Sequence, residues 1–223
     1  MLNFVRTAIV IVALSCCLSV FGQSVDDTSP SEGNPKAFAL VKEAVRLEES
    51  GRFEEAIVKF KEVLKAEPKD FAAMNSIAGL YGVLKQPSLQ VDWAQRSFET
   101  NPKQWKALIN LGNGQAVQGK FELASAAFEK AHSIAPKEPL PVYSLGVVAE
   151  NCDQIDEALK YYLKSVEIDP KFQNGLFSAA AMHANLRQFA EAKKFLIRLL
   201  EIEPRDQEAR QMLTAIERDM AKP

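Results

Sequence analysis

Few side chains in this 223-residue chain are equipped for chemistry: two histidines (His132, His183), three cysteines (Cys16, Cys17, Cys152) and scattered carboxylates such as Glu54 and Glu55. A zinc centre of three imidazoles or four thiolates cannot be assembled from that set. Cys152 has no basic neighbour in sequence to make its thiol reactive. The charges are nearly balanced, 27 Lys plus Arg against 29 Asp plus Glu, for a formal net charge of −2. A protein that neutralises phosphates on DNA or RNA carries a basic surplus, so no nucleic-acid partner is expected. At 47% hydrophobic and 25% charged residues, the composition is that of a globular domain or a short repeat array.

The elements that would position any site begin after a leader. One arginine, Arg6, precedes an uncharged and largely apolar run from Thr7 to Phe21. That run is shorter than the roughly 20 residues a membrane-spanning helix needs. Residues 1–22 therefore read as a secretory signal peptide, with Val20 and Gly22 before Gln23 as the cleavage site. A lipoprotein signal would acylate Cys16 or Cys17, but neither is preceded by the usual pattern of a leucine followed by small residues. Residues 23–36 read as a flexible tether, most plainly Ser24–Asn34, which is polar and turn-forming. With the leader removed, Cys152 is the one remaining cysteine, and the fold must be held by packing.

The remainder is periodic. Pro68, Pro102, Pro136, Pro170 and Pro204 stand 34 residues apart. At ordinary proline frequency, four such coincidences have odds on the order of 10⁻⁵. With each proline at position 32, five repeats cover 37–70, 71–104, 105–138, 139–172 and 173–206. Position 8 is small in all of them (Ala44, Ala78, Gly112, Gly146, Ala180), as needed where helix backbones cross closely. Position 24 holds Phe60, Ala94, Phe128, Tyr162 and Leu196, mostly large residues that fill the space beside the small ones. Each repeat carries two helical apolar stripes around a turn, with Gly51 and Gly119 suited to a left-handed residue, replaced later by Asp153 and Arg187. The closing proline ends the second helix.

These columns resemble the tetratricopeptide repeat family, whose 34-residue helix-turn-helix has small residues at 8, 20 and 27, an aromatic at 24 and proline at 32. Repeat three matches best, through Leu108, Leu111, Gly112, Ala124, Phe128, Ala131 and Pro136. The resemblance implies an all-α fold: a right-handed α-solenoid of five repeats plus a capping helix in residues 207–223. In the cap, Ala209, Leu213, Ile216 and Met220 form an apolar stripe backed by Glu208, Arg210, Glu217 and Arg218. Asn34 and Pro35 are placed to start the first helix. Repeat two departs most. With Pro87 at position 17, its second helix is expected to start late, with Ser88 as its cap and Trp93 supplying the bulk that Ala94 lacks.

In this family the first helices line a concave surface; positions 2, 5, 9 and 12 project onto it, and the polar column at position 6 is consistent with it. The candidate groove is Val41, Asn75, Ile109, Asn110, Asn113, Tyr143, Val147, Asn174 and Phe177, apolar with amides interspersed and centred on Ile109, Tyr143 and Phe177. Such a surface suits an amphipathic helix or an extended peptide. The family's clamp for chaperone carboxylate termini needs lysine at position 5 and asparagine at 9, followed by asparagine and basic residues in the next two repeats. No window of three repeats supplies that set. His183 falls in a core column as a hydrogen-bonded packing residue, His132 near a helix C-terminus, Cys152 at a helix end as a partly buried thiol, and Glu54 and Glu55 at a helix N-terminus.

The expectation is a non-enzymatic interaction module without cofactors or metals, exported to the periplasm, cell envelope or outside. It would bind a protein or peptide segment in the groove and support assembly of a larger complex. A membrane-tethered spacer or accessory subunit, its leader retained or lipidated and its convex face binding, is the alternative.

Overall fold

The computed structural model describes residues 33–221; the leader, its cleavage site, Cys16, Cys17 and most of the tether lie outside the described residues. Among those described there are eleven α-helices and no strand. They are α1 (Pro35–Glu49), α2 (Phe53–Ala66), α3 (Phe71–Val83), α4 (Pro87–Thr100), α5 (Trp105–Val117), α6 (Phe121–Ile134), α7 (Pro139–Asn151), α8 (Ile155–Ile168), α9 (Gln173–Asn185), α10 (Phe189–Ile202) and α11 (Gln207–Met220). Pro35 and Lys36 are therefore already helical. The chain divides into two compact units, Met1–Ile134 and Ala135–Pro223. In the first, α1 to α6 pack in sequence and α3 also touches α5; in the second, α7 to α11 pack in sequence.

Helix starts are set by short side chains and proline. Asn34 accepts from the backbone N–H groups of Lys36 and Ala37, with Pro35 in the first turn. Asp70 and Asp206 do the same for α3 and α11, accepting from Ala73 and Ala209 at 2.9 Å. α4 starts at Pro87, in register with the second helices of the other repeats, and Ser88 lies inside it. The expected late start is wrong because proline fits the first helical position, where its missing N–H has no partner to lose. Between the helices of each repeat the turn residue is left-handed: Gly51, Lys85, Gly119, Asp153 and Arg187 have φ of 73°, 55°, 74°, 58° and 59°. The chain reversal demands this geometry whether or not glycine supplies it.

Packing follows the position 8 and 24 columns. A Cβ on Gly112 would lie 2.5 Å from the ring of Phe128, and one on Gly146 would lie 2.7 Å from the ring of Tyr162. Repeat two solves the same problem in reverse. Gln90 stands where other repeats have alanine, and the room it needs comes from Gly82 on α3 and Gly114 on α5, whose added Cβ atoms would fall within 2.9 Å and 3.4 Å of its amide. Trp93 packs half-buried on the first unit's core, around Phe60, Ile77 and Leu80.

Both ends of the helix series are polar-backed. Positions 7 and 10 hold buried Ile77 and Leu80, Leu111 and Gly114, Leu145 and Val148, and Ala179 and Met182, whereas α1 has exposed Glu43 and Arg46 there. At the other end Ala209 and Ile216 of α11 are buried against Leu196 and Leu199, and Lys193 Nζ pairs with Glu217 at 2.6 Å. Met220 is 49% exposed, so it lies off the packed stripe expected of it.

Candidate functional site

The candidate residues sit on the first helices of the repeats, Val41, Asn75, Ile109, Asn110 and Asn113 in the first unit and Tyr143, Val147, Asn174 and Phe177 in the second. They are not equally available. Ile109 and Tyr143 are each 2% exposed, so two of the three expected anchors are packing residues and cannot offer area to a partner. Tyr143 is enclosed by Phe172, edge-on with ring centroids 5.4 Å apart, and by Tyr162, also at 5.4 Å. Ile109 is closed off on α5, the helix that meets α3 directly.

The asparagines bind each other across that contact. Asn110 Nδ2 donates to Asn75 Oδ1 at 2.9 Å and lies 3.4 Å from the Asn75 carbonyl oxygen, joining α5 to α3. Asn75 is 8% and Asn110 7% exposed, so each keeps a narrow opening to solvent. Val41, Asn113, Val147, Asn174 and Phe177 are half-buried. Val41 and Phe177 rest on the core of their unit with one side and leave the other open. What remains accessible is therefore a set of amides, aliphatic flanks and one aromatic edge.

Two half-buried carboxylates are not among the residues named from the sequence. Both occupy position 12. Glu48, in the last turn of α1, has its carboxyl pushed up to about 7 by burial and by the neighbouring charge of Glu49. Glu150, on α7, is likewise raised by burial, while a hydrogen bond donated by Tyr162 Oη at 2.5 Å acts in the opposite direction. Burial holds the Tyr162 phenol far above its ordinary range, and the adjacent Glu150 charge adds to this. The phenol is therefore a permanent donor and Glu150 its acceptor, an arrangement that fastens α7 to α8. The signal available in sequence is the pairing of an acid at position 12 with a tyrosine rather than phenylalanine at 24.

His183 Nδ1 lies 2.6 Å from Gln188 Oε1, and its ring stacks on Phe195 with centroids 5.5 Å apart. Cys152 is exposed, not partly buried as expected, because it caps α7 next to the left-handed Asp153. Glu54 and Glu55 lie in the first turn of α2, and Glu55 pairs with Arg52 at 2.6 Å. Among the described residues no group of three or more His, Cys, Asp or Glu could hold a metal ion, and no helix is long and apolar enough to cross a membrane.

Stacked helix pairs with left-handed turns, small-to-large crossings and polar end helices define an α-helical repeat solenoid. The described fold is that of a tetratricopeptide repeat protein. The family model for the Fis1 C-terminal tetratricopeptide repeat matches residues 173–223, and that for a tetratricopeptide repeat matches 142–172. It is 30% identical over 104 residues to human tetratricopeptide repeat protein 33, a match covering 47% of this chain and 40% of that protein, so the chain spans less than half the length of this relative. Among solved structures it is similar to TTC0263, a thermophilic TPR protein of Thermus thermophilus, with a TM-score of 0.70, 17% identity and coverage of 81% of this chain and 98% of that one. It is also similar to YrrB, described as a TPR protein with an unusual peptide-binding site, with a TM-score of 0.54, 18% identity and coverage of 81% and 94%.

Proposed function

We propose that this protein is a non-enzymatic interaction module that binds an extended protein segment on the first-helix faces of its units. The observation carrying this reading is that the accessible groups are amides and partial apolar surfaces, while the large anchors Ile109 and Tyr143 are closed off. An amphipathic helix satisfies its own backbone and needs deep apolar pockets. An extended segment exposes backbone N–H and C=O groups at every residue, and Asn75, Asn110 and Asn113 offer matching acceptors and donors. On the first unit Val41 would take a side chain of such a segment; on the second, Val147 and Phe177 would do so, with Asn174 beside Phe177 supplying polar contact. The peptide-binding description of YrrB supports the same class of partner.

The signal-like leader further supports work in an extracytoplasmic compartment, as an assembly factor for a larger complex. Mass spectrometry of the mature protein tests this second part. A chain starting near Gln23 supports export with cleavage, and a lipid on Cys16 or Cys17 or an intact leader rejects it. The binding claim is tested by peptide titration against wild type, Asn113→Ala for a segment held on the first unit and Phe177→Ala for one held on the second, each expected to weaken its own binding by about 1 to 3 kcal/mol. Equal affinities would reject the site.

A further inference from the structure

The carboxylate of Glu150 is only half bonded. It stands one helical turn after Val147 on α7, so the two residues are neighbours on one face of that helix. Its Oε2 accepts from Tyr162 Oη of α8 at 2.5 Å, and Ser178 of α9 hydrogen-bonds the same phenol, which thereby links three helices beside the carboxylate. Glu150 Oε1 has no hydrogen bond among the described residues, yet it is not sealed from solvent.

The surroundings do not neutralise this charge. No described cation forms an ion pair with Glu150. Asp153 and Asp156 follow in the turn after α7 and the first turn of α8, both exposed, while Glu157 is paired with Lys160 at 3.3 Å. Arg187, in the turn between α9 and α10, is exposed and makes no ion pair with it. The Asn151 amide bonds the Val147 carbonyl at 2.7 Å instead of the carboxylate. Glu150 also lies in the last turn of α7, where the helix end adds partial negative charge, and burial already works against its ionised form.

We propose that the segment bound by the second unit carries an arginine or lysine side chain that pairs with Glu150. The inference rests on the peptide reading of this unit and names what that segment must contain. A segment laid over Val147 also covers Glu150, and covering it with neutral groups would strip water from Oε1 without replacing the lost bonds. A guanidinium or ammonium donates to that oxygen in a charge-assisted hydrogen bond and meets the negative end of α7 as well. Its aliphatic stem can lie along Val147. Tyr162 acts as a positioning residue, because its bond occupies Oε2 and leaves Oε1 to the partner.

The test is display selection of random peptides on the immobilised full chain, with Phe177→Ala identifying those held on the second unit. Wild type should enrich Phe177-dependent peptides that share an arginine or lysine at one position, and changing that residue to glutamine should weaken binding by about 10-fold. Against Glu150→Gln the same change should alter affinity by less than about 2-fold, so the two substitutions are coupled. Tyr162→Phe keeps the carboxylate while removing its bonded donor, and it should retain the cationic preference. Phe177-dependent peptides with no cationic position, or a preference that Glu150→Gln leaves intact, would overturn this inference alone. Absence of any Phe177-dependent peptide would remove the peptide reading of the second unit together with it.

Discussion

Gly112 and the ring of Phe128 occupy one packing position between them: a Cβ on Gly112 would stand 2.5 Å from Cε1 and 2.7 Å from Cζ. The glycine is what lets α5 lie against α6 with a full aromatic ring in the crossing. Gly112→Ala should therefore lower stability by about 1 to 3 kcal/mol through overpacking, despite the higher helix propensity of alanine. Phe128→Leu in the same chain should recover part of that loss, so the two changes are not additive. Chemical denaturation of the two single variants and the double measures the coupling.

Gln90 is 2% exposed, and its Nε2 is buried without a hydrogen-bond partner. An unmet buried donor costs free energy, whereas an apolar side chain of similar volume does not carry that cost. Gln90→Met should leave the protein as stable as before or stabilise it by about 1 kcal/mol. Gln90→Ala should instead destabilise it, because Gly82 and Gly114 would face an empty space. Thermal melts of the pair separate volume from polarity.

The Glu48 carboxyl, pushed up to about 7, holds its proton more tightly in the folded chain than in the unfolded one. Its contribution is favourable below pH about 4.5 and is lost as pH rises through about 7. Glu48 also lies in the last turn of α1, where the helix dipole disfavours a negative charge. Glu48→Gln should flatten stability against pH in that window and stabilise the protein at pH 8 by about 1 kcal/mol, a figure reduced for solvent contact at this half-buried site. Denaturant midpoints at pH 5 and pH 8 check both the sign and the window.

Phe177 and Tyr143 share position 5 of adjacent repeats yet differ in role. Tyr143→Ala should cost about 3 to 5 kcal/mol of stability, because it empties the space between Phe172 and Tyr162. Phe177→Ala should cost clearly less stability and act mainly on peptide affinity. Comparable melting losses for the two variants would place Phe177 in the core and remove it from the site.

The contrast between those two residues shows what is legible in the sequence. Proline spacing, small crossings and capping residues report local geometry, so the helix pairs and the solenoid class can be read directly. The burial of Tyr143 cannot, because Phe172, the residue that covers it, stands at a turn position where no periodicity assigns it a packing role. Ile109 is hidden for a related reason. Position 5 opens to solvent only if the first helices stand apart, and the direct contact between α3 and α5 closes that gap. The left-handed Lys85 carries no mark in sequence, because lysine does not favour that angle and the turn imposes it on whatever residue is present.

The most direct test of the peptide-binding account is calorimetric titration of a peptide selected from an unbiased library against wild type, Asn110→Ala, Asn113→Ala and Phe177→Ala, with Lys164→Ala on a second helix as the control. Asn110→Ala and Asn113→Ala should weaken binding of a peptide held on the first unit, and Phe177→Ala that of a peptide held on the second, by about 10-fold or more, while the control binds as wild type does. Binding that survives all three changes, or that fails only with Lys164→Ala, would contradict it.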